Sequence, residues 1–264
     1  MKKFYTFLFV FLSFVCVFIF VSGCSSNAIK KSNLTISAAA SLTESLNKIV
    51  GSFEKEHPNI KINVNYGASG ALRQQIEQGA SVDLFLPVSV KDLDTLESEK
   101  LVDSSNSVIF ARNILVLIVP KGNPLDIKNL DDLKRSDVKR IAIGAVPSVP
   151  AGIYAKESLE KVGIFNELKS KFVYAKDVRQ ILEYVSTGNV DAGFVYKTDA
   201  ATSNDVQVAS TIPDLNHKPI VYYAAVLKST KYPDEAKEFM NYLLSKQSQE
   251  ILSEYGFLPP EKIK

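Results

Sequence analysis

The chain has 264 residues, 31 Lys and Arg against 29 Asp and Glu, a formal net charge of +2, and 46% hydrophobic residues. With no basic run and no aromatic-basic interleaving, that balance gives no footprint for nucleic acid. Its only cysteines are Cys16 and Cys24, so an exported form is expected to hold no disulfide and no thiolate site, and to draw its stability from core burial.

Lys2 and Lys3 form a charged start, and an apolar run from Phe4 to Val21 follows. The run stops at Val21-Ser22-Gly23-Cys24, which resembles a bacterial lipobox, where the Cys is lipidated and becomes the new N-terminus. Residues 1–23 are thus read as a lipoprotein signal peptide, and 24–33 as the lipidated Cys24 with a polar tether. The alternative is an uncleaved signal anchor, since the run nearly reaches the ~20 residues that span a bilayer. Losing Lys2 and Lys3 with the leader leaves 29 basic against 29 acidic side chains. The remaining length, about 230 residues, suits two modest lobes better than one large one.

Periodicity predicts strands near Leu34 to Ala38, Lys61 to Tyr66 and Asp83 to Pro87, each followed by a helical pattern. The first helix carries Leu42, Leu46, Ile49 and Phe53 on one face, and Ser41 with Glu44 reads as a capping box. After Leu101 the pattern breaks into a polar stretch, Asp103 to Ser107. A continuous apolar strand from Ile114 to Val119 then reads as buried on both faces.

A second α/β unit follows, with strands near Arg140 to Gly144, Phe172 to Ala175 and Gly193 to Tyr196 and helices near Ala151 to Val162 and Val178 to Ser186. Asp205 to Ala209 and Ile220 to Leu227 read as strands, and Pro233 to Glu254 as helical. If the chain crosses near Arg112 and returns near Tyr222, the terminal helices complete the first lobe. The expected division is 34–113 for the first part of lobe I, 114–221 for lobe II, and 222–264 for the second part of lobe I.

Four strand-to-helix junctions are rich in Ser, Ala and Gly: Ile36 to Leu42, Asn65 to Ala71, Val149 to Tyr154, and Tyr174 to Val178. Each leaves free backbone N–H groups at a helix start, where the macrodipole amounts to roughly half a positive charge. Small side chains let a ligand approach those donors, so converging ends would bind an oxyanion without Lys or Arg. Ligands of open α/β sheets sit beyond the carboxyl ends of the strands, where all four junctions fall.

The ordered set of motifs resembles the molybdate-binding proteins of bacterial ABC transporters, within the type II periplasmic solute-binding superfamily. It comprises Ala38-Ala39-Ala40-Ser41-Leu42-Thr43, Ala68-Ser69-Gly70, Gln74-Gln75-Ile76-Glu77-Gln78-Gly79-Ala80 and Asp83-Leu84-Phe85. Val149 to Lys156, Asp177-Val178-Arg179, Gly193-Phe194-Val195-Tyr196 and Tyr255-Gly256-Phe257 continue it. The resemblance implies an α/β type II fold of two lobes, each a mixed sheet flanked by helices, joined by two crossover segments. It further implies an oxyanion held by Ser41, Ser69, the amides of Ala151 and Val178, and the Tyr196 hydroxyl.

The implied ligand is molybdate, with tungstate not separable from it, delivered to a permease and its ATPase. No cofactor, no catalysis and no direct metal-cation ligand are implied; a monomer, lipid-anchored outside the cytoplasm, is expected. Ser69 departs from the pattern in being flanked by Ala68 and Gly70, where some members have a run of serines. All five residues act as donors. A protonated phosphate would bring an unpaired donor, costing roughly 1–3 kcal/mol, or about one to two decades of affinity. Sulfate shares molybdate's charge and shape, so its exclusion must come from cavity size.

Each of these residues also has a plainer reading. Ser41 and Ser69 read equally as helix caps, Tyr196 as a satisfied core tyrosine, and Asp177 as an N-cap. His57 and His217 read as solvated, and Lys134, Arg135, Lys139 and Arg140 as an exposed basic face. Gly67-Ala68-Ser69-Gly70-Ala71 approaches a serine-hydrolase elbow, but Ala71 replaces the final Gly and neither histidine suits a triad base. Tyr222-Tyr223 resembles the paired tyrosines of ferric-ion-binding relatives, though strand alternation would send the two rings to opposite faces. Sulfate or ferric iron therefore stands as the alternative ligand.

Overall fold

The structure is a computed structural model and describes residues 31–260; the leader, Cys24 and most of the tether lie outside the described residues. The first elements in chain order are β1 (Ser32–Ala39), α1 (Thr43–Glu56), β2 (Ile60–Gly67), α2 (Ser69–Glu77), β3 (Leu84–Leu86), α3 (Val90–Ser98), β4 (Val102–Arg112) and β5 (Leu115–Pro120). There follow β6 (Ile141–Gly144), α4 (Pro150–Lys161), α5 (Phe165–Leu168), β7 (Phe172–Ala175), α6 (Val178–Ser186), β8 (Ala192–Tyr196) and α7 (Lys197–Ala200). The chain continues through β9 (Val206–Thr211), β10 (Val221–Leu227), α8 (Pro233–Tyr242) and α9 (Lys246–Glu254).

The strands form two five-stranded mixed sheets, ordered β2-β1-β3-β10-β4 and β7-β6-β8-β5-β9. In each sheet three strands run parallel and the last two are antiparallel to their neighbours. The chain leaves the first sheet after Arg112 and returns to it at Val221, so each sheet's fourth strand is the one arriving from the other. β5 sits between β8 and β9, and Leu115 to Val119 are fully buried, because a strand covered on both faces needs no polar alternation.

Leu42, Leu46, Ile49 and Phe53 are buried as their spacing predicts. The Phe53 ring meets Phe239 and Tyr242 of α8 edge-on, at 5.0 and 5.1 Å between centroids, so the terminal helices complete the first lobe. Two further features depart from the sequence reading. Asp103 to Ser107 belong to β4, the edge of the first sheet, where Ser107 pairs with Ala225 and Val102 with Leu227. An edge strand needs only one bonded neighbour and tolerates polar side chains, so hydropathy gave no signal for it. His57 is not simply solvated: its ring stacks on Phe53 at 4.2 Å and its Nδ1 lies 3.1 Å from Glu238.

Candidate functional site

Backbone packing sets the helix starts. A Cβ on Gly152 would fall 2.0 Å from the carbonyl oxygen of Gly144, so the start of α4 is pressed against the end of β6 where only glycine fits. Pro150 occupies the first turn of α4, where its missing N–H costs nothing and its φ is preset. Across the seam, Gly70 N–H donates to Ser148 O at 3.0 Å, and a Cβ on Gly70 would lie 2.7 Å from that oxygen. Tyr154 also crosses, donating from its hydroxyl to Val88 O at 2.9 Å.

Between the lobes these helix starts line a small cavity of about 10 Å³, about the room that one water molecule needs. Ser41, Ser69, Ala151, Val178 and Tyr196 all line it, so the five residues named from the sequence converge on one space. Among the described residues its lining holds no lysine or arginine. The single acid there, Asp177, caps α6 by accepting from Gln180 N–H at 2.9 Å, as its N-cap reading expects.

The five come from different elements. Ser69 and Val178 are the first residues of α2 and α6, and Ala151 is the second of α4, all in first turns whose N–H groups have no intrahelical acceptor. Ser69 Oγ accepts from Val88 N–H at 3.1 Å. Tyr196 ends β8 and is 1% exposed, yet its hydroxyl has no hydrogen-bond partner among the described residues. Burial holds that phenol well above its ordinary pKa, with Tyr222, Tyr154 and Asp199 adding to the effect. A buried, protonated hydroxyl without an acceptor is costly, and a bound anion would supply the acceptor.

Ser41 does not cap a helix. A 3₁₀ turn over Ala40–Leu42 delays α1 to Thr43, which removes Ser41 from the capping position, and its Oγ lies 2.8 Å from the hydroxyl of Tyr222. Glu44, freed from the expected capping box, pairs across the seam with Arg179. Arg179 also donates to Ala40 O at 3.3 Å and Thr202 Oγ1 at 3.0 Å. Its Nε is 3.1 Å from Asp199 Oδ1 but donates to Ala40 O, so among the described residues this fully buried carboxylate has a charge beside it without a side-chain hydrogen bond directed at it.

Neither histidine bonds to Ser69 among the described residues. His217, read as solvated, is half-buried: its Nδ1 lies 2.7 Å from Lys218 O and its ring 5.7 Å from that of Tyr154. Tyr222 and Tyr223 are split, the first fully buried in the main core and the second half-buried against the cluster around Leu72 and Ile76. Lys134 and Arg135 are paired with Asp131 and Asp137 at the surface. Asn113 and Tyr222, which carry the hydrogen bonds behind Ser41, are not among the residues the sequence points to for an oxyanion: Tyr222 stands out there as the return crossover and as half of an iron-type tyrosine pair, and a lone Asn at a crossover gives no signal.

The family model for bacterial extracellular solute-binding proteins matches residues 34–258. The chain belongs to that family. It is 44% identical over 253 residues to YvgL of Bacillus subtilis (strain 168), provisionally named as an ABC transporter substrate-binding lipoprotein, covering 94% of this chain and 96% of that one. It is 36% identical over 230 residues to the molybdate-binding protein ModA of Escherichia coli (strain K12), covering 85% and 88%. Among solved structures, the substrate-binding domain of a provisionally assigned molybdenum ABC transporter from Clostridium difficile is 42% identical with a TM-score of 0.68, covering 88% of this chain and all of that one.

Proposed function

We propose that the chain captures molybdate between its lobes and delivers it to an ABC permease whose ATPase drives import. The observation that carries this reading is the Tyr196 hydroxyl, buried and unpaired beside a cavity lined by hydroxyl and N–H donors and no basic side chain. Such a site fits a tetrahedral dianion without a proton, because the serine and tyrosine hydroxyls and the helix-start N–H groups can donate, while the one acid, Asp177, is engaged in capping its own helix. The ligand contacts come from both lobes, so bound anion favours the closed arrangement by the difference in contacts made. In this reading Ser41, Ser69, Ala151, Val178 and Tyr196 are the ligand set, tungstate is accepted with molybdate, and the protein works as a monomer without a cofactor and catalyses nothing. Cys24 carries the lipid that holds it outside the cytoplasmic membrane.

Isothermal titration of the chain from Ser25 onward, with molybdate, tungstate, sulfate and phosphate in parallel, tests it. Tight one-to-one molybdate binding with weak sulfate and no phosphate response is expected. Silence towards all four anions would overturn the reading and reopen the ligand.

A further inference from the structure

Behind the cavity a chain of buried side chains settles which way the Ser41 hydroxyl points. Asn113 sits at the first crossover, 6% exposed, and its Oδ1 accepts the N–H of Ile114 at 2.9 Å. That bond fixes the orientation of the amide, so its Nδ2 faces the other way. The two Nδ2 hydrogens go to Thr198 Oγ1 at 2.8 Å and to the Tyr222 hydroxyl at 3.1 Å. Tyr222 therefore accepts from Asn113. Its own hydrogen must go to Ser41 Oγ, 2.8 Å away, or remain buried and unpaired in a residue that is 0% exposed. With its oxygen already receiving a hydrogen bond, Ser41 has its own hydrogen left for the cavity. Ser69 reaches the same state by a shorter route, since its Oγ accepts from Val88 N–H.

We propose that Asn113 and Tyr222 form a directional hydrogen-bond relay that fixes Ser41 as a donor to the bound anion and so discriminates against oxyanions that carry a proton. The proposal rests on the oxyanion reading above and assigns both residues a positioning role, since neither lines the cavity. Each serine oxygen already accepts from the protein, which frees its hydrogen for the ligand and leaves a single lone pair, so a hydroxyl on the ligand must compete with the serine's own hydrogen for the directions that face the cavity. Cavity size would act separately, on anions such as sulfate that carry no proton.

The test compares molybdate, sulfate and phosphate at pH 7.5, each by titration or by displacement of molybdate, in wild type, Tyr222→Phe, Ser41→Ala and the double variant. Phosphate carries at least one proton at that pH and sulfate carries none. Tyr222→Phe takes away the hydrogen given to Ser41 and leaves the serine free to accept. Molybdate affinity should fall about threefold to tenfold while phosphate holds or gains. The molybdate-to-phosphate ratio then narrows at least about threefold, and the molybdate-to-sulfate ratio stays within about twofold. In the Ser41→Ala background the same change should leave the phosphate ratio unmoved, because the relay acts only through Ser41. Asn113→Leu, which retains Tyr222, should shift the ratio in the same direction and serves if Tyr222→Phe does not fold.

Equal weakening towards all three anions, or the same ratio shift with and without the Ser41 hydroxyl, would overturn the relay while leaving the oxyanion site standing. A wild type that binds none of the three overturns the site and the relay together.

Discussion

The two lobes share one strand order and place their helix starts at matching positions: Ser41 follows β1 as Ala151 follows β6, and Ser69 follows β2 as Val178 follows β7. What they present is different. Lobe I offers hydroxyls, each oriented by a partner behind it, through Tyr222 for Ser41 and Val88 N–H for Ser69. Lobe II offers bare N–H groups at Ala151 and Val178, which need no orienting partner, with Tyr196 beside them. Its accuracy comes instead from tight packing, as at Gly144 and Gly152. One lobe thus tunes the site by hydrogen-bond direction and the other by close approach of backbone, so substitutions should damage them in different ways.

The largest effect on binding should come from removing both hydroxyls of lobe I. Ser41→Ala with Ser69→Ala should weaken molybdate binding at least about a hundredfold, since hydrogen bonds to a charged group contribute about 1.5–3 kcal/mol each, and should also lower the melting temperature, because the Tyr222 hydroxyl and Val88 N–H lose their buried acceptors. Calorimetry and a thermal melt read the two quantities separately. In lobe II the corresponding injury is to the fold: Gly152→Ala should destabilise the protein by about 1–3 kcal/mol or more, read by denaturant unfolding, because the added methyl meets Gly144 O.

Tyr196→Phe separates the two kinds of effect within one residue. Deleting an unpaired buried hydroxyl should leave the free protein as stable or slightly more so, while molybdate binding falls about tenfold. A variant that loses stability instead would mean that the hydroxyl has a partner in the free protein.

The last change acts on stability alone and concerns Asp199. Burial pushes its carboxyl pKa up to about 7, against the opposing charge of Arg179. The folded state then holds the proton more tightly than the unfolded chain, so the burial penalty is full above pH 7 and is relieved as pH falls towards 3.8. Asp199→Asn should accordingly raise the melting temperature at pH 8 and leave it nearly unchanged at pH 4.

The strand-to-helix junctions were legible because small residues at helix starts are a local pattern, and five positions named from them and from the family resemblance meet in one cavity. The capping-box reading of Ser41 fails because a single 3₁₀ turn moves the start of α1, and propensity does not register so small a shift. The polar half of β4 was invisible because its strand character comes from pairing with β10 across the sheet. The relay was beyond local reading for the same reason: Tyr222 lies 181 residues from Ser41 and 109 from Asn113, and only the second crossover brings them together.

The absence of lysine and arginine from the cavity lining has a kinetic consequence. Among the described residues the lining holds one acid, Asp177, and no basic side chain, so no charged side chain there steers an anion in from a distance. Capture should then proceed at an unassisted encounter rate that added salt barely alters, and affinity should reside almost wholly in how slowly the anion escapes.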